Sequence, residues 1–259
     1  LKHIPNVLRR VNEVVEAISS DLPDVLVTID APGFSLRVAR KVKPLGVPLV
    51  HYVAPTVWAW RPRRAKKISS YLDHLLTLFD FEPSYFTKHG LKATFVGHPL
   101  TETQNLGSRG ESRIELGFSD DDKVLALLPG SRESEVRRML PFFEEVVQQF
   151  QEEIPNLKTV IPVVDYVKDD VIEITSTWKD APLLVDQTQG KHLVFAAADA
   201  ALACSGTVAM ELAWAKVPTV ISYKMAWLSS LIGYMLLKVK YASMINIIAD
   251  RAIQPEFLQ

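Results

Sequence analysis

The sequence predicts an α/β protein built from two parallel sheets that are covered by helices. Apolar runs of strand length alternate with helical patterns along almost the whole chain. The runs are apolar at consecutive positions, which is typical of parallel strands covered by helices on both faces. A chain of 259 residues is long enough to form two such domains, each with its own core.

The elements of the first domain begin with a helical pattern. Its apolar face carries Val7, Leu8, Val11, Val14, Val15 and Ile18. Predicted strands follow at 24–29, 47–53, 74–79 and 93–96, and a second series lies at 124–128, 159–164, 183–185, 200–203 and 219–223. The polar, Gly- and Ser-bearing stretch 101–112 separates the two series, so we predict domains at 1–104 and 105–259.

The two ends of the chain lead to a further expectation. The chain opens inside a helical pattern without an initiating Met, and it ends at Gln259 without a closing helix. We therefore expect a part of a longer protein, with the first domain incomplete at its start and the second at its end.

Composition narrows the class of function. The net charge of −1 argues against a nucleic-acid-binding protein. The single cysteine, Cys204, excludes an intramolecular disulfide and fits a reducing compartment; its apolar neighbours predict a small buried side chain rather than a nucleophile. His51 and His98 follow strands, but no pair of histidines has ligand spacing with acidic partners, so we expect neither a metal nor another cofactor.

Two segments end a strand with small residues and open a helix. They are Leu-Leu-Pro-Gly-Ser-Arg at 127–132 and Cys-Ser-Gly-Thr-Val-Ala-Met-Glu at 204–211. Backbone N–H groups at such turns favour anions, so the pair predicts a nucleotide-diphosphate pocket with Arg132 and Glu211 near phosphate and sugar. Against this, strand–turn–helix units recur in all α/β proteins, and neither segment has P-loop or dinucleotide-fingerprint spacing.

Asp30 ends the first predicted strand, directly before Ala31-Pro32-Gly33. A carboxylate at the carboxyl end of a parallel strand faces the edge where α/β proteins keep their chemistry, which favours a catalytic role. The alternative is an Asp that forms its own turn by hydrogen-bonding the loop.

A dense group of cations follows two tryptophans. Trp58 and Trp60 precede Arg61, Arg63, Arg64, Lys66 and Lys67. Aromatic rings beside cations favour a phosphorylated partner or an anionic lipid, whereas a solvated helix face would also account for the run.

The apolar segment 225–241 is too short and too interrupted to span a bilayer. Trp227, Tyr234 and Tyr241, with flanking lysines, suit a segment that lies on a membrane surface. A buried core helix and a wall for acyl chains fit the same residues, and these alternatives stay open here.

Several of these stretches together resemble one enzyme family. They are 28–34, 51–61, 95–100, 127–132, and 205–207 with Glu211. They are similar to lipid-A-disaccharide synthases, which are inverting glycosyltransferases of the GT-B type, with two Rossmann-like domains facing a cleft. The resemblance covers essentially the whole chain, and the tryptophan–arginine segment together with Pro-Gly-Ser-Arg is specific to the family. The family's N-terminal Gly-rich loop and closing helices have no counterpart in the sequence.

The resemblance implies transfer of 2,3-diacylglucosamine from its UDP carrier to 2,3-diacylglucosamine 1-phosphate, with release of UDP. It implies Asp30 as the base for the acceptor hydroxyl and Arg132 beside the departing UDP. Trp60, Arg61, Arg63 and Arg64 would face the acceptor phosphate or an anionic lipid. The donor site would comprise Gly130, Ser131, Arg132, Ser205, Gly206, Thr207, Glu211, Asn246 and Gln259, with Glu211 on the ribose.

The implied location is the cytoplasm, at the inner face of the bacterial inner membrane, and a homo-oligomer stays open. Two other classes of function remain. One is another UDP-sugar enzyme on the same fold, an epimerase or a peptidoglycan-type transferase. The other is a non-catalytic module that binds a membrane surface.

Overall fold

The computed structural model describes residues 4–59, 62–102, 107–204, 206–224 and 240–258. It divides after Thr101 into two compact units, which we name unit 1 and unit 2. The predicted domain boundary after residue 104 falls outside the described residues and stays a prediction. Most of the apolar segment predicted at a membrane surface, residues 225–239, also lies outside them.

Unit 1 alternates helices and short strands, as the apolar runs predict. Its elements are α1 (Ile4–Ser20), β1 (Leu26–Ile29), α2 (Ser35–Val42), a 3-10 turn (Lys43–Leu45), β2 (Leu49–Tyr52), α3 (Arg63–Ser69), β3 (His74–Thr77), α4 (Pro83–Thr87), β4 (Lys92–Phe95) and a 3-10 turn (Pro99–Glu102) that runs one residue into unit 2.

The sheet of unit 1 is parallel and has the order β1-β2-β3-β4, so its described strands follow chain order without reversal. One face packs against a single core in which Val11, Leu36, Leu49 and Leu75 are buried. On β1 the other face is open, since Val27 is 51% and Ile29 63% exposed. The expectation of strands covered on both faces is therefore wrong for β1 among the described residues.

Unit 2 has the same alternation with longer elements. They are α5 (Arg109–Leu116), β5 (Lys123–Leu128), α6 (Glu133–Glu153), β6 (Leu157–Val163), α7 (Asp165–Thr175), β7 (Leu183–Asp186), α8 (Gln187–Ala197), β8 (Ala200–Ala203), α9 (Thr207–Trp214), β9 (Thr219–Tyr223), α10 (Met244–Ala249) and β10 (Glu256–Leu258).

The sheet of unit 2 is parallel, with the order β10-β9-β8-β5-β6-β7. The chain runs outward from β5 to β7, returns through α8, and then runs outward on the other side, which is the doubly wound Rossmann order. Both faces are covered: Leu125 and Leu127 belong to one core, and Val124, Ala126 and Leu128 to the other. The strand order reverses between β5 and β8, where such folds form a crevice.

An ion pair between a buried arginine and a partly exposed aspartate joins the amino ends of these two strands. Arg113 of α5 lies 2.7 Å from the Asp199 carboxylate, and its guanidinium also donates to the carbonyl oxygens of Ala197 and of the turn before β5. Asp199 in turn accepts from the Val124 N–H at 2.8 Å. This pair fixes β5 beside β8, so the turns at their carboxyl ends also lie side by side.

Candidate functional site

The turn after β5 needs glycine at position 130 for two reasons. Gly130 has φ of +108°, a conformation that side-chain-bearing residues rarely adopt. A Cβ atom at this position would also lie 2.5 Å from Oε2 of Glu135. The next amide, that of Ser131, donates to the same carboxylate at 3.1 Å. Arg132 is the N-cap residue of α6, and its side chain is 75% exposed.

The turn after β8 lies next to it, because Leu128 and Ala203 are register partners and the Cys204 N–H donates to the Leu128 carbonyl at 2.9 Å. Gly206 has φ of +144° and is the N-cap of α9, so Thr207 begins that helix. Gly206 and Thr207 are exposed. The structure therefore brings the two predicted turns together at the strand-order reversal; Ser205 lies outside the described residues.

Cys204 lies beneath both turns and is chemically quiet. Its side chain is 2% exposed, and Sγ lies 3.0 Å from the Pro129 carbonyl oxygen, to which it donates. Burial, and then the Glu135 carboxylate, raise the pKa of this thiol to about 12. The thiolate is therefore disfavoured, which confirms the prediction of a small buried residue rather than a nucleophile.

Glu211 lies on α9 and contacts a lysine that sequence reasoning missed. Lys191 Nζ of α8 lies 2.5 Å from Glu211 Oε2, and both side chains are only about a quarter exposed, at 26% and 23%. The same ammonium lies 5.8 Å from the centre of the Phe195 ring. Lys191 lies about one helical turn after the end of β7, as Glu211 does after the turn that follows β8. The rule that charged residues at such positions lie near the carboxyl edge of the sheet could therefore have found Lys191 as well.

Asn246, which is expected on the donor side, has internal partners for its side chain. Its Nδ2 donates to the Gln254 carbonyl at 2.7 Å and to Glu256 Oε1 at 2.6 Å, and its Oδ1 accepts from the N–H groups of Ile253 and Gln254. Both donors and both acceptors are used, and the residue is fully buried. Asn246 thus holds the turn before β10, and its role at the donor site stays a prediction. Gln259 lies outside the described residues.

In unit 1, Asp30 ends β1 in a strained turn. Asp30 and Ala31 have φ of +42° and +43°, and the Asp30 N–H continues the ladder to the Tyr52 carbonyl at 2.9 Å. The Asp30 side chain is exposed and has no hydrogen-bond or ion-pair partner among the described residues. Two consecutive left-handed residues with side chains are costly, and such strain concentrates at functional sites.

A buried histidine lies close to this turn. His51 is fully buried, and its Nδ1 lies 2.8 Å from Thr28 Oγ1. Burial lowers the pKa of His51 to about 4, although the Asp30 carboxylate raises it, so the imidazole is neutral at pH 7. Its Nε2 has no partner in the part of the chain that the structure describes. Two residues on, Val53 has φ of +76°, which is rare for a β-branched residue.

The cationic segment reaches the same turn through one residue. Arg64 of α3 donates from Nη2 to the Pro32 carbonyl at 3.3 Å, whereas Arg63 is exposed. Sequence reasoning treated Asp30 and these cations separately, and the structure brings Arg64 and Asp30 to one edge of the sheet. Trp60 and Arg61 lie outside the described residues. Trp58 donates to the buried Glu82 at 3.4 Å, which anchors the loop after β3.

The described residues also show how far a metal site and a membrane-spanning helix are possible. Within the described ranges, no group of three or more His, Cys, Asp or Glu residues could hold a metal ion. No described helix is both long and apolar enough to cross a bilayer.

An apolar cavity of about 790 Å³ lies under α6 and is lined by residues such as Leu125, Phe142 and Val220. It adjoins the amino-terminal parts of the strands, away from the two turns.

Comparison with known sequences identifies the family. The sequence model of lipid-A-disaccharide synthetase matches residues 1–259. The chain belongs to this family. The lipid-A-disaccharide synthases of Rhodospirillum centenum and Paramagnetospirillum magneticum are 43% and 44% identical to it, across 100% of this chain and 65% and 67% of their own lengths. The chain therefore spans about two thirds of these relatives, and the resemblance inferred from the motifs is confirmed.

Solved structures of other proteins share the fold of this chain. The S. aureus MnaA–UDP co-structure matches with a TM-score of 0.64 at 13% identity, over 95% of this chain and 71% of that one. The UDP-GlcNAc 2-epimerase of Neisseria meningitidis, bound to UDP-GlcNAc, matches with a TM-score of 0.61 at 11% identity, over 94% and 71%. At such identities the likeness concerns the fold alone, and it confirms the predicted GT-B-type class.

Proposed function

We propose that the protein is a lipid-A-disaccharide synthase. It transfers 2,3-diacylglucosamine from UDP-2,3-diacylglucosamine to 2,3-diacylglucosamine 1-phosphate and releases UDP. The observation that carries this proposal is the pair of adjacent turns at the strand-order reversal of unit 2, in a chain of this family. Two helices begin there, α6 and α9, and ligands of doubly wound sheets bind at such a crevice.

The diphosphate of the donor would bind these turns. The exposed amides of Gly206 and Thr207 lie at the amino end of α9, where the helix dipole favours negative charge. Gly130 has no Cβ to crowd the backbone, although the Glu135 carboxylate lies in that space here, and Ser131 has an N–H donor that now bonds the same carboxylate. Arg132, with a largely exposed guanidinium, would neutralise the charge that develops on UDP as it departs.

Glu211 would accept hydrogen bonds from the ribose hydroxyls. Its ion pair with Lys191 supports this role, since a carboxylate that is already held in place loses little freedom on binding. Lys191 adds a positive charge on the same side of unit 2.

Asp30 would be the base. As the acceptor's 6-hydroxyl attacks C1 of the donor sugar, its proton passes to the Asp30 carboxylate, the new O–C1 bond forms, and the bond from C1 to the phosphate oxygen breaks with its electron pair leaving on UDP. A single displacement inverts C1. The exposed carboxylate, without an internal partner among the described residues, is free to accept that proton.

The acceptor phosphate, or an anionic lipid, would meet the cations of α3. Arg63, Lys66 and Lys67 are exposed there, and Arg64 links the helix to the Asp30 turn. We further propose that these cations attach the protein to the cytoplasmic surface of an anionic membrane, where both lipid substrates reside. Flotation with vesicles containing an anionic phospholipid should then weaken as salt is raised, and it should weaken further when Arg63, Lys66 and Lys67 are replaced by Ser.

An assay of UDP release tests the reaction. The purified protein is incubated with the diacylated donor, with and without the diacylated acceptor phosphate, and the disaccharide is identified by mass. We expect UDP release only when the acceptor is present. One alternative is an enzyme that acts on UDP-GlcNAc, the sugar nucleotide bound in one of the fold neighbours. Turnover of UDP-GlcNAc, with none of the acylated donor, would replace the proposed reaction with that one.

A further inference from the structure

Glu135 lies in the middle of the proposed diphosphate site, although no role in the reaction calls for an acid there. It is the third residue of α6, and its side chain is 15% exposed. Its Oε2 accepts from the Ser131 N–H at 3.1 Å, and its Oε1 lies 2.5 Å from Arg132 Nη1. Its carboxylate also fills the space that the missing Cβ of Gly130 leaves open.

The Glu135 carboxylate also affects the turn after β8. Burial, and then the Glu135 carboxylate, raise the pKa of the Cys204 thiol, so the charge of Glu135 acts on the start of the turn after β8 as well as on the turn after β5. These two turns are the walls of the proposed site. The Glu135 carboxylate therefore occupies the Ser131 N–H, the Arg132 guanidinium and the space beside Gly130. A phosphate group bound at this turn would need the same three.

A helix cap is the simpler explanation for such a contact. In a capping box, a Glu at the third helical position accepts from the backbone N–H of the N-cap residue. Here the N-cap is Arg132, but Glu135 accepts from the amide one residue earlier and pairs with the Arg132 side chain. The carboxylate thus contacts the glycine turn itself, which a capping box does not require.

We propose that Glu135 is an internal competitor for the donor diphosphate. Its carboxylate holds the Ser131 amide and the Arg132 guanidinium until the diphosphate takes them, and it returns to them as UDP leaves. This inference rests on the proposed function of the site. Its consequence is a weaker affinity for UDP, and a faster release of it, than the same turn would have without the competing charge.

Glu135→Gln tests the competition, because the amide keeps the shape of the side chain and removes its charge. Hydrogen bonds to charged groups are about twice as strong as neutral ones, so the Gln should yield its place more readily. We expect UDP to bind Glu135→Gln about tenfold more tightly than the wild type in calorimetric titrations. Inorganic pyrophosphate should gain in the same direction, and UDP should dissociate more slowly in stopped-flow displacement.

Glu133→Gln is the matched control. Glu133 lies in the same first turn of α6, but its side chain is 69% exposed and pairs with Arg137. Glu133→Gln removes the same charge from the same helix end but leaves the space beside Gly130 unchanged. Its effect on the Kd for UDP should therefore be clearly smaller than that of Glu135→Gln.

Three results would overturn the proposal. UDP binding that is unchanged or weaker in Glu135→Gln, with a lowered Tm, would make Glu135 a helix cap only. An equal gain in both variants would reduce the effect to the overall charge of the helix end. In either case the wild type still binds UDP, and the proposed function stands. If neither the wild type nor Glu135→Gln binds UDP, the proposed function fails and the inference fails with it.

Discussion

The carboxyl edges of the two sheets differ in how their charges are held. In unit 2 the strand order reverses between β5 and β8, and the acids at that edge, Glu135 and Glu211, are each paired with a cation. In unit 1 the described strands follow chain order, and the acid at the edge, Asp30, has no partner among the described residues and stands on a strained turn.

This difference matches two different tasks. A site for a diphosphate needs cations and amides in place before the ligand arrives, and internal acids keep such groups ordered. A general base needs a carboxylate that can accept a proton, and a salt bridge would oppose that. We therefore propose that the edge of unit 2 binds the donor and that the edge of unit 1 carries the proton transfer.

Replacing Asp30 with Asn should cause the largest loss of activity among the substitutions that test this division. The amide cannot accept the acceptor's proton, so we expect turnover to fall roughly 100- to 10,000-fold while UDP binding is kept. Turnover is measured as UDP released from the diacylated substrates. Asp24→Asn, at an exposed position two residues before the same strand, is the control and should behave as the wild type. Normal turnover in Asp30→Asn would reduce Asp30 to a turn-forming residue.

Arg132→Ala probes the other edge. Loss of a charge-assisted contact to the leaving group costs about 2 to 4 kcal/mol of transition-state stabilisation, so kcat/KM should fall accordingly. Arg137→Ala, which removes an exposed and ion-paired arginine from the same helix, should change kcat/KM little. Equal losses in both variants would mean that α6 responds to a disturbed surface and not to a lost ligand contact.

His51 gives unit 1 a pH dependence of stability. Its pKa is about 4 in the folded protein and 6.5 in the unfolded chain, so between these values the unfolded chain binds the proton and the folded protein does not. The contribution of His51 to the free energy of unfolding is therefore fully present above pH 6.5 and is lost as the pH falls. At pH 5 the loss is about 2 kcal/mol. Denaturant unfolding of His51→Asn should lack this part of the loss.

The matched control for that measurement is His74→Asn. His74 lies at the start of β3, half-buried, and its Nε2 contacts Thr94 Oγ1 at 2.9 Å. This variant should keep the decline between pH 6.5 and pH 5. A decline that persists unchanged in His51→Asn would mean that other groups cause it.

The pair of Lys191 and Glu211 should have the smallest effect. A ribose contact exists in both the ground state and the transition state, so Glu211→Ala should raise the donor KM about tenfold and leave kcat nearly unchanged. Lys191→Ala should act in the same direction, and the double variant should cost less than the sum, because the two residues work as one unit. The exposed Glu145→Ala is the control. A loss in kcat alone would give Glu211 a chemical role.

The sequence predicts the parts of this arrangement that depend on local pattern. Consecutive apolar positions mark the strands, and Gly130 and Gly206 mark the turns after two of them, since only glycine suits their backbone conformations. Asp30 is found by the same rule, as the first polar residue after a strand. Buried Cys204 follows from its apolar neighbours.

Contacts between distant elements could not be predicted in this way. The ion pair of Lys191 with Glu211 depends on α8 returning from β7 to β8, and periodicity does not determine strand order. The same holds for Arg64 at the Pro32 carbonyl and for His51 beside Thr28. The partners of Asn246 could not be predicted either, because they depend on how the turn before β10 folds back on α10.

Titration of UDP into three proteins tests the division of labour most directly. The wild type, Asp30→Asn and Arg132→Ala are compared by calorimetry under one buffer and salt condition. We predict that Asp30→Asn binds UDP with the Kd of the wild type and that Arg132→Ala binds it at least about tenfold more weakly. Weakened binding in Asp30→Asn, or unchanged binding in Arg132→Ala, would contradict the assignment of donor binding to the edge of unit 2.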